Sequence, residues 1–131
     1  DSASQDVSAD YAEQILNLVN QERKQRNIPP LILSGKLMDA AAIRAEEITQ
    51  LFSHTRPNGS SCFTVIRNKG RGVGENIAAG QASATEVMTA WMNSPGHKKN
   101  ILDPMYKELG VGYLYDGNHE QHHFWTQLFR R

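Results

Sequence analysis

Cysteine is almost absent from this 131-residue chain, and its scarcity excludes two common ways of stabilising a small protein. The single cysteine, Cys62, cannot form a disulfide within the chain, and a zinc site built from several cysteines is excluded. No basic residue adjoins Cys62 in the sequence to activate it, so we expect an inert buried thiol. The fold must therefore depend on apolar packing, for which a chain of this length is sufficient.

The sequence also lacks an excess of either charge and any long apolar run. Fourteen basic residues balance fourteen acidic residues, so the formal net charge is zero. A dedicated nucleic-acid-binding domain needs a basic footprint to displace counterions, so we expect no nucleic-acid partner. No apolar run approaches the ~20 residues that a membrane-spanning helix requires.

We expect a monomer with a disordered lead-in at residues 1–9 and a single domain at residues 10–131.

Helix signals come before strand signals along most of the chain. Capping residues followed by apolar residues at helical spacing predict four helices, which begin at Asp10, about Ser34, Ser83 and Ser94. Two apolar segments, 109–115 and 122–129, flank Asp-Gly-Asn and predict a β-hairpin. The glycine-rich segment from Phe52 to about Gly80 is predicted to be a long irregular loop. This order predicts an α+β fold in which a small, mainly antiparallel sheet lies between helical layers.

The common catalytic motifs are missing as well, which leaves three ionisable residues in segments rich in glycine or proline. They are His54 in FSHTRPNG, Glu75 in GVGENIAAG and His97 in WMNSPGHKKNIL. Two neutral imidazoles and a carboxylate can hold zinc with an open position for water. Alternatively, the carboxylate can orient a histidine that acts as a general base. A third interpretation makes each residue a local capping or hydrogen-bonding group without a ligand.

Five ordered segments resemble the CAP superfamily, whose domains are also called SCP or PR-1-like domains, in its compact bacterial branch. The segments are HTRPNG, GENIAAG, AWMNSPGHKKNIL, GVGYLY and FWTQLF, and the resemblance covers residues 10–129. It implies an α-β-α sandwich with a central cavity lined by two histidines and two acidic residues. By motif position, His54, His97 and Glu75 correspond to three of these four. The cysteine pairs found elsewhere in the family are absent, as in the bacterial branch.

The fourth residue is where this sequence departs from the eukaryotic pattern, which carries a glutamate three residues after a helix tryptophan. Here Ser94 stands three residues after Trp91, so Ser94 is one candidate. Glu86 is the other candidate, although its place in the Ser83 capping box already explains it.

The resemblance implies a secreted, extracellular or envelope-associated protein and leaves two functions open. The first is a ligand- or metal-binding module that takes a lipid-like, peptide or cell-envelope ligand. It requires no cofactor, and His54 and His97 are its candidate ligands for Zn²⁺ or another divalent cation. Its candidate binding residues are His54, Glu75, His97, Ser94 and Glu86. The second is a zinc-dependent hydrolase with peptidase-like activity, in which His54 and His97 hold Zn²⁺ and Glu75 is the catalytic base or a third ligand. A catalytic zinc normally has three protein ligands, so Glu75 cannot serve as the base without leaving the metal only two.

Overall fold

The computed structural model describes residues 2–131, with side chains from Val7 onward. In chain order its elements are α1 (Ser2–Gln25), β1 (Ile32–Leu33), α2 (Gly35–Gln50), a 3₁₀ helix (Cys62–Val65), β2 (Val73–Ala79), α3 (Ala84–Met92), α4 (Pro95–Leu102), β3 (Glu108–Tyr115) and β4 (His123–Arg130). The strands form one sheet in the order β1-β3-β4-β2. β1 pairs with β3 in parallel, and the other two pairings are antiparallel. The predicted α+β class and mainly antiparallel sheet are confirmed.

Helices cover both faces of the sheet, so the predicted α-β-α sandwich is also confirmed. α2 packs against β3 and β4 on one face, while α1, α3 and α4 pack on the other. Two glycines of β3, Gly110 and Gly112, face α2. A Cβ atom at either position would overlap the backbone carbonyl of Leu37 or Ala41. The missing side chains therefore let α2 lie directly on the sheet.

The first helix begins earlier than predicted. α1 starts at Ser2 rather than at Asp10, so residues 2–9, which were predicted to be a disordered lead-in, are helical. No proline or glycine stands between Ser2 and Asp10 to stop the helix, and a helix once formed extends at little cost per residue. Although α1 is long, no helix among residues 2–131 is apolar enough over sufficient length to cross a bilayer.

The segment from Phe52 to Gly80 was predicted to be a long irregular loop, and this prediction is wrong in part. The segment contains the 3₁₀ helix and β2. In β2, Glu75 contacts α2 while Asn76 contacts α4, so adjacent side chains point to opposite faces. Glu75 and Asn76 interrupt the apolar pattern of the strand, so the alternation could not be recognised in the sequence. Their hydrogen-bond partners come close only in the folded chain. β2 lies at an edge of the sheet, next to β4.

Candidate functional site

A buried ion pair between α2 and β2 forms the base of the site. The side chains of Arg44 on α2 and Glu75 on β2 are both fully buried. Arg44 Nε donates to Glu75 Oε2 at 2.7 Å, and Arg44 Nη2 donates to Oε1 at 3.2 Å. A bidentate pair of this kind holds the carboxylate in one orientation.

A second carboxylate and a second arginine extend this ion pair toward the surface. Arg44 also donates to Glu47 at 2.9 Å and to the backbone carbonyl of Ser53 at 2.6 Å. Arg56 holds Glu47 from the other side, at 2.8 Å. Burial acts to raise the pKa of Glu47, but hydrogen bonds from Arg56 and Arg44 outweigh it, so this pKa is lowered. Two arginines thus balance two carboxylates, so each charge of this network has a partner of opposite sign.

His54 lies above Glu75, in the loop that follows α2. Its Nδ1 is 2.8 Å from Glu75 Oε1, and 59% of its side chain is exposed. A carboxylate only accepts hydrogen bonds, so Nδ1 carries the proton of this bond and Nε2 is the ring nitrogen that Glu75 does not bind. The loop is fixed from both sides, because Arg44 binds the Ser53 carbonyl and the Cys62 N–H donates to the His54 carbonyl at 2.8 Å.

Cys62 joins His54 and Glu75 in a group whose possible ligand atoms all lie within 4.8 Å of one another. The thiol is buried, as predicted. Burial, followed by the charge of Glu75, raises the pKa of Cys62 to about 12, so the thiol stays protonated at neutral pH. Metals bind the thiolate, and both oxygens of Glu75 are already bonded to Arg44. The group is close enough to hold a metal ion but is chemically ill suited to it.

His97 reaches the same region from α4. Asn76 on β2 donates to the His97 carbonyl at 3.1 Å and accepts from Asn100 at 2.9 Å, so the first turn of α4 is attached to the edge strand. Burial, and then the charge of His54, lowers the pKa of His97 from its ordinary 6.5. This imidazole is therefore neutral at pH 7, and it lies near enough to His54 to be affected by its charge.

His54, His97 and Ser94 line one open cleft of about 480 Å³ beside β2. Ser94 occupies the N-cap position of α4, yet its side chain makes no capping hydrogen bond. The other lining residues are mostly apolar or small: Phe52, Ser53, Ile77, Ala78, Ala79, Gln81, Ala90 and Trp91. The Trp91 indole N–H donates to the Ile77 carbonyl at 3.2 Å and fixes one wall of the cleft. The cleft thus combines two imidazoles and a hydroxyl with an apolar surface.

The structure places four of the five predicted site residues together. Glu75 lies beneath His54 rather than at the surface of the cleft, and it belongs to a strand rather than to the predicted loop. Glu86 is not among them: its N–H donates to Ser83 Oγ at 3.1 Å, and its carboxylate accepts from the Ala82 N–H at 3.2 Å. Capping of α3 therefore accounts for Glu86, and its assignment as a binding residue is not supported.

Arg44 is the main residue of the site that the sequence patterns did not identify. It lies within the apolar stripe of α2, beside Ala41, Ala45 and Ile48. The available signal was this position itself, because an arginine at a core-facing helix position requires a buried acidic or carbonyl partner.

The family model of the cysteine-rich secretory protein family, CAP, matches residues 16–129. YkwD of Bacillus subtilis is 38% identical over 133 aligned positions, which cover 98% of this chain and 49% of YkwD. The chain therefore spans about half the length of this relative.

Solved structures give the same fold. An extracellular protein containing an SCP domain from Bacillus anthracis aligns with a TM-score of 0.83 and 30% identity. That alignment covers 95% of this chain and 41% of the other. An outer surface protein of Borrelia burgdorferi aligns over 91% of both chains with a TM-score of 0.80 and 22% identity, a likeness of fold.

Replacing Arg44 should destabilise the protein strongly. Arg44→Met leaves the buried Glu75 carboxylate without its bidentate partner, and breaking such a pair from one side costs about 3–5 kcal/mol. We expect a loss of this size in the free energy of unfolding, measured with urea at pH 7. Arg44→Met/Glu75→Gln should recover part of the loss, because no unpaired carboxylate remains.

Arg26→Met is the matched control for this experiment. Arg26, directly after the end of α1, pairs with Glu22 at 3.2 Å on the surface, and exposed pairs contribute only about 0–1 kcal/mol. Similar losses for Arg26→Met and Arg44→Met would contradict the role of the buried pair.

Replacing His54 should raise the pKa of His97. His54→Gln removes one of the two influences that lower this pKa, while burial remains. The stability that neutral His97 contributes is present above pH 6.5 and is lost as the pH falls through the lowered pKa of the folded state. An NMR titration of the His97 ring should therefore give a higher pKa in His54→Gln than in the wild type. His122→Gln, on the exposed hairpin loop, should leave it unchanged; equal shifts would show that the two cleft imidazoles do not interact.

Proposed function

The chain belongs to the cysteine-rich secretory protein (CAP) family, and we propose that it is a secreted or envelope-associated module that binds its ligand in the cleft beside β2. Two similar solved structures support this location, since one is described as extracellular and the other as an outer surface protein. The cleft supports the binding role. Because the chain spans only part of its relatives, the proposal concerns this domain.

The composition of the cleft is the observation that carries the proposal. Its volume of about 480 Å³ falls in the range of small-molecule sites, which are mostly apolar with a few fixed polar groups. The apolar side includes Phe52, which is 55% exposed and is not part of the hydrophobic core. The polar side presents His54 Nε2, the His97 ring and the Ser94 hydroxyl. A ligand with an apolar group next to a hydrogen-bonding group fits this surface, and a lipid-like, peptide or cell-envelope molecule has that character.

The rigidity of the polar side also favours binding. Glu75 orients His54, and Arg44 orients Glu75, so the imidazole is held in place before any ligand arrives. Fixing polar groups in advance reduces the entropy that is lost on binding. The buried network beneath the cleft therefore serves recognition without touching the ligand.

The zinc-hydrolase alternative has support from one contact. A carboxylate bonded to the far nitrogen of an imidazole is the usual arrangement around metal-bound and catalytic histidines, and Glu75 stands in this relation to His54. In that role Glu75 orients His54 and is neither a base nor a ligand. His54 and His97 are then two donors, fewer than the three protein ligands of a catalytic zinc, and no carboxylate lines the cleft in the described chain. These donors do not fit a catalytic zinc, so we prefer the binding role.

A large side chain in the cleft should weaken ligand binding. Ala90 is exposed and lines the cleft, so Ala90→Trp fills it without removing a polar group. With laurate and a phenylalanine-containing tripeptide as probes, we expect at least one to shift the NMR signals of Ala79, Ser94 and His97 in the wild type. Ala90→Trp should weaken this binding roughly tenfold or more.

Ala42→Trp is the control for this substitution, because Ala42 is exposed on α2 and does not line the cleft. It should bind the probes like the wild type. The proposal fails if neither probe perturbs the cleft signals, or if Ala90→Trp binds as well as Ala42→Trp.

Zinc titration distinguishes the alternative. Because the cleft offers two imidazole donors and no free carboxylate, we expect calorimetry to give the same heats for the wild type and for His54→Gln/His97→Gln. Saturable zinc binding in the wild type that this double variant loses would reinstate the metal-dependent function.

A further inference from the structure

The formal net charge of zero conceals an uneven distribution of charge along the sheet. Basic side chains gather at the end where α2 and β2 begin and β4 finishes: Lys36, Arg67, Lys69, Arg71, Arg130 and Arg131. The loop at the opposite end, between β3 and β4, carries Asp116 and Glu120 and no lysine or arginine. At the basic end Glu108 pairs with Arg130 at 2.8 Å and Asp103 with Arg131 at 3.6 Å, which leaves four of these basic residues without an ion pair. Asp39 offsets one of their charges.

Part of this end is a groove between the start of α2 and residues 65–68, with a volume of about 350 Å³. Lys36, Arg67 and Arg130 line it, and Asp39 is the one acidic residue among its lining residues. Neither Lys36 nor Arg67 forms an ion pair with any residue in the described part of the chain. The groove shares no lining residue with the cleft beside β2.

Hydrogen bonds to backbone carbonyls hold the end of β4 against residues 68–72, so these basic residues stay close together despite their mutual repulsion. Arg130 Nη1 donates to the Asn68 carbonyl at 2.9 Å, and the Arg131 N–H donates to the Gly72 carbonyl at 2.9 Å. Gly70 has a positive φ, and a Cβ there would lie 2.7 Å from the Arg131 carbonyl oxygen. This close approach fixes the basic 67–71 segment against the end of β4. Like charges fixed side by side produce a local positive potential that attracts anions.

We propose that this basic groove binds a polyanion with repeated phosphate groups, and that it does so independently of the cleft beside β2. The cations extend along the groove and its rim, and none of the described polar residues that line the groove is buried. No side chain there is placed to enclose a single anion, so a chain of charges fits better than one small ion. An anionic membrane fits less well. Ile43, which is 46% exposed, is the only large apolar side chain among the lining residues that is available for insertion.

Inorganic polyphosphate is the probe for this proposal, titrated into the whole chain at low salt and followed by calorimetry. Lys36→Gln/Arg67→Gln removes two unpaired cations from the groove. Lys98→Gln/Lys99→Gln removes the same net charge from α4, outside the groove. We expect the groove variant to bind roughly tenfold more weakly and with a shallower salt dependence, and the α4 variant to bind like the wild type. Thermal melting should show that both variants stay folded.

Further arms separate the sources of the anionic group. Inorganic phosphate at the same total phosphate concentration should compete poorly, phosphatidylglycerol vesicles should bind more weakly than polyphosphate, and Ala90→Trp should retain polyphosphate binding. The proposal is overturned if polyphosphate does not bind the wild type, or if the two double variants lose binding equally. It is also overturned if single phosphate competes as well as the polymer, if vesicles bind more tightly, or if filling the cleft abolishes polyphosphate binding.

Discussion

The ion pair between Arg44 and Glu75 links the fold to the cleft. It joins α2 to the edge strand β2 inside the protein, where a charged group without a partner would be costly. Bidentate geometry and the second pair, Arg56 with Glu47, compensate the desolvation of all four groups. The same arginine binds the Ser53 carbonyl, and the same glutamate binds His54. One ion pair therefore attaches α2 to β2 and also positions an imidazole at the surface.

The cleft lies beside β2, at an edge of the sheet. An edge strand exposes backbone groups that would pair with other chains, and native proteins cover them. Here the Trp91 indole binds the Ile77 carbonyl and the Asn100 amide binds the Glu75 carbonyl. The helices that bring these side chains also bring Ser94 and His97 to the edge. Protection of the strand and construction of the site are therefore achieved by the same elements.

Much of the fold could be predicted from local signals. Ser34 and Ser83 accept hydrogen bonds from the first turns of α2 and α3, and those helices begin where the serines predict. The apolar segments around Asp116 form the predicted hairpin. β2 was missed because Glu75 and Asn76 interrupt its apolar pattern, and the beginning of α1 was missed because a local capping signal at Asp10 does not prevent a helix from extending further back.

In the site, the difference between what local sequence signals predict and what tertiary packing decides is larger than in the fold. By itself the sequence determined that His54, Glu75, His97 and Ser94 belong to segments resembling the cavity-lining motifs of one family, since motif order and residue type are local properties. Only the tertiary structure decided what each residue does. Glu75 became a buried support for His54 because a strand pairing and a helix register brought Arg44 to it from 31 positions away. The capping role of Glu86, by contrast, was predicted from the Ser83 capping box, because a helix cap is a local interaction. Partners that are distant in sequence meet only when the layers pack.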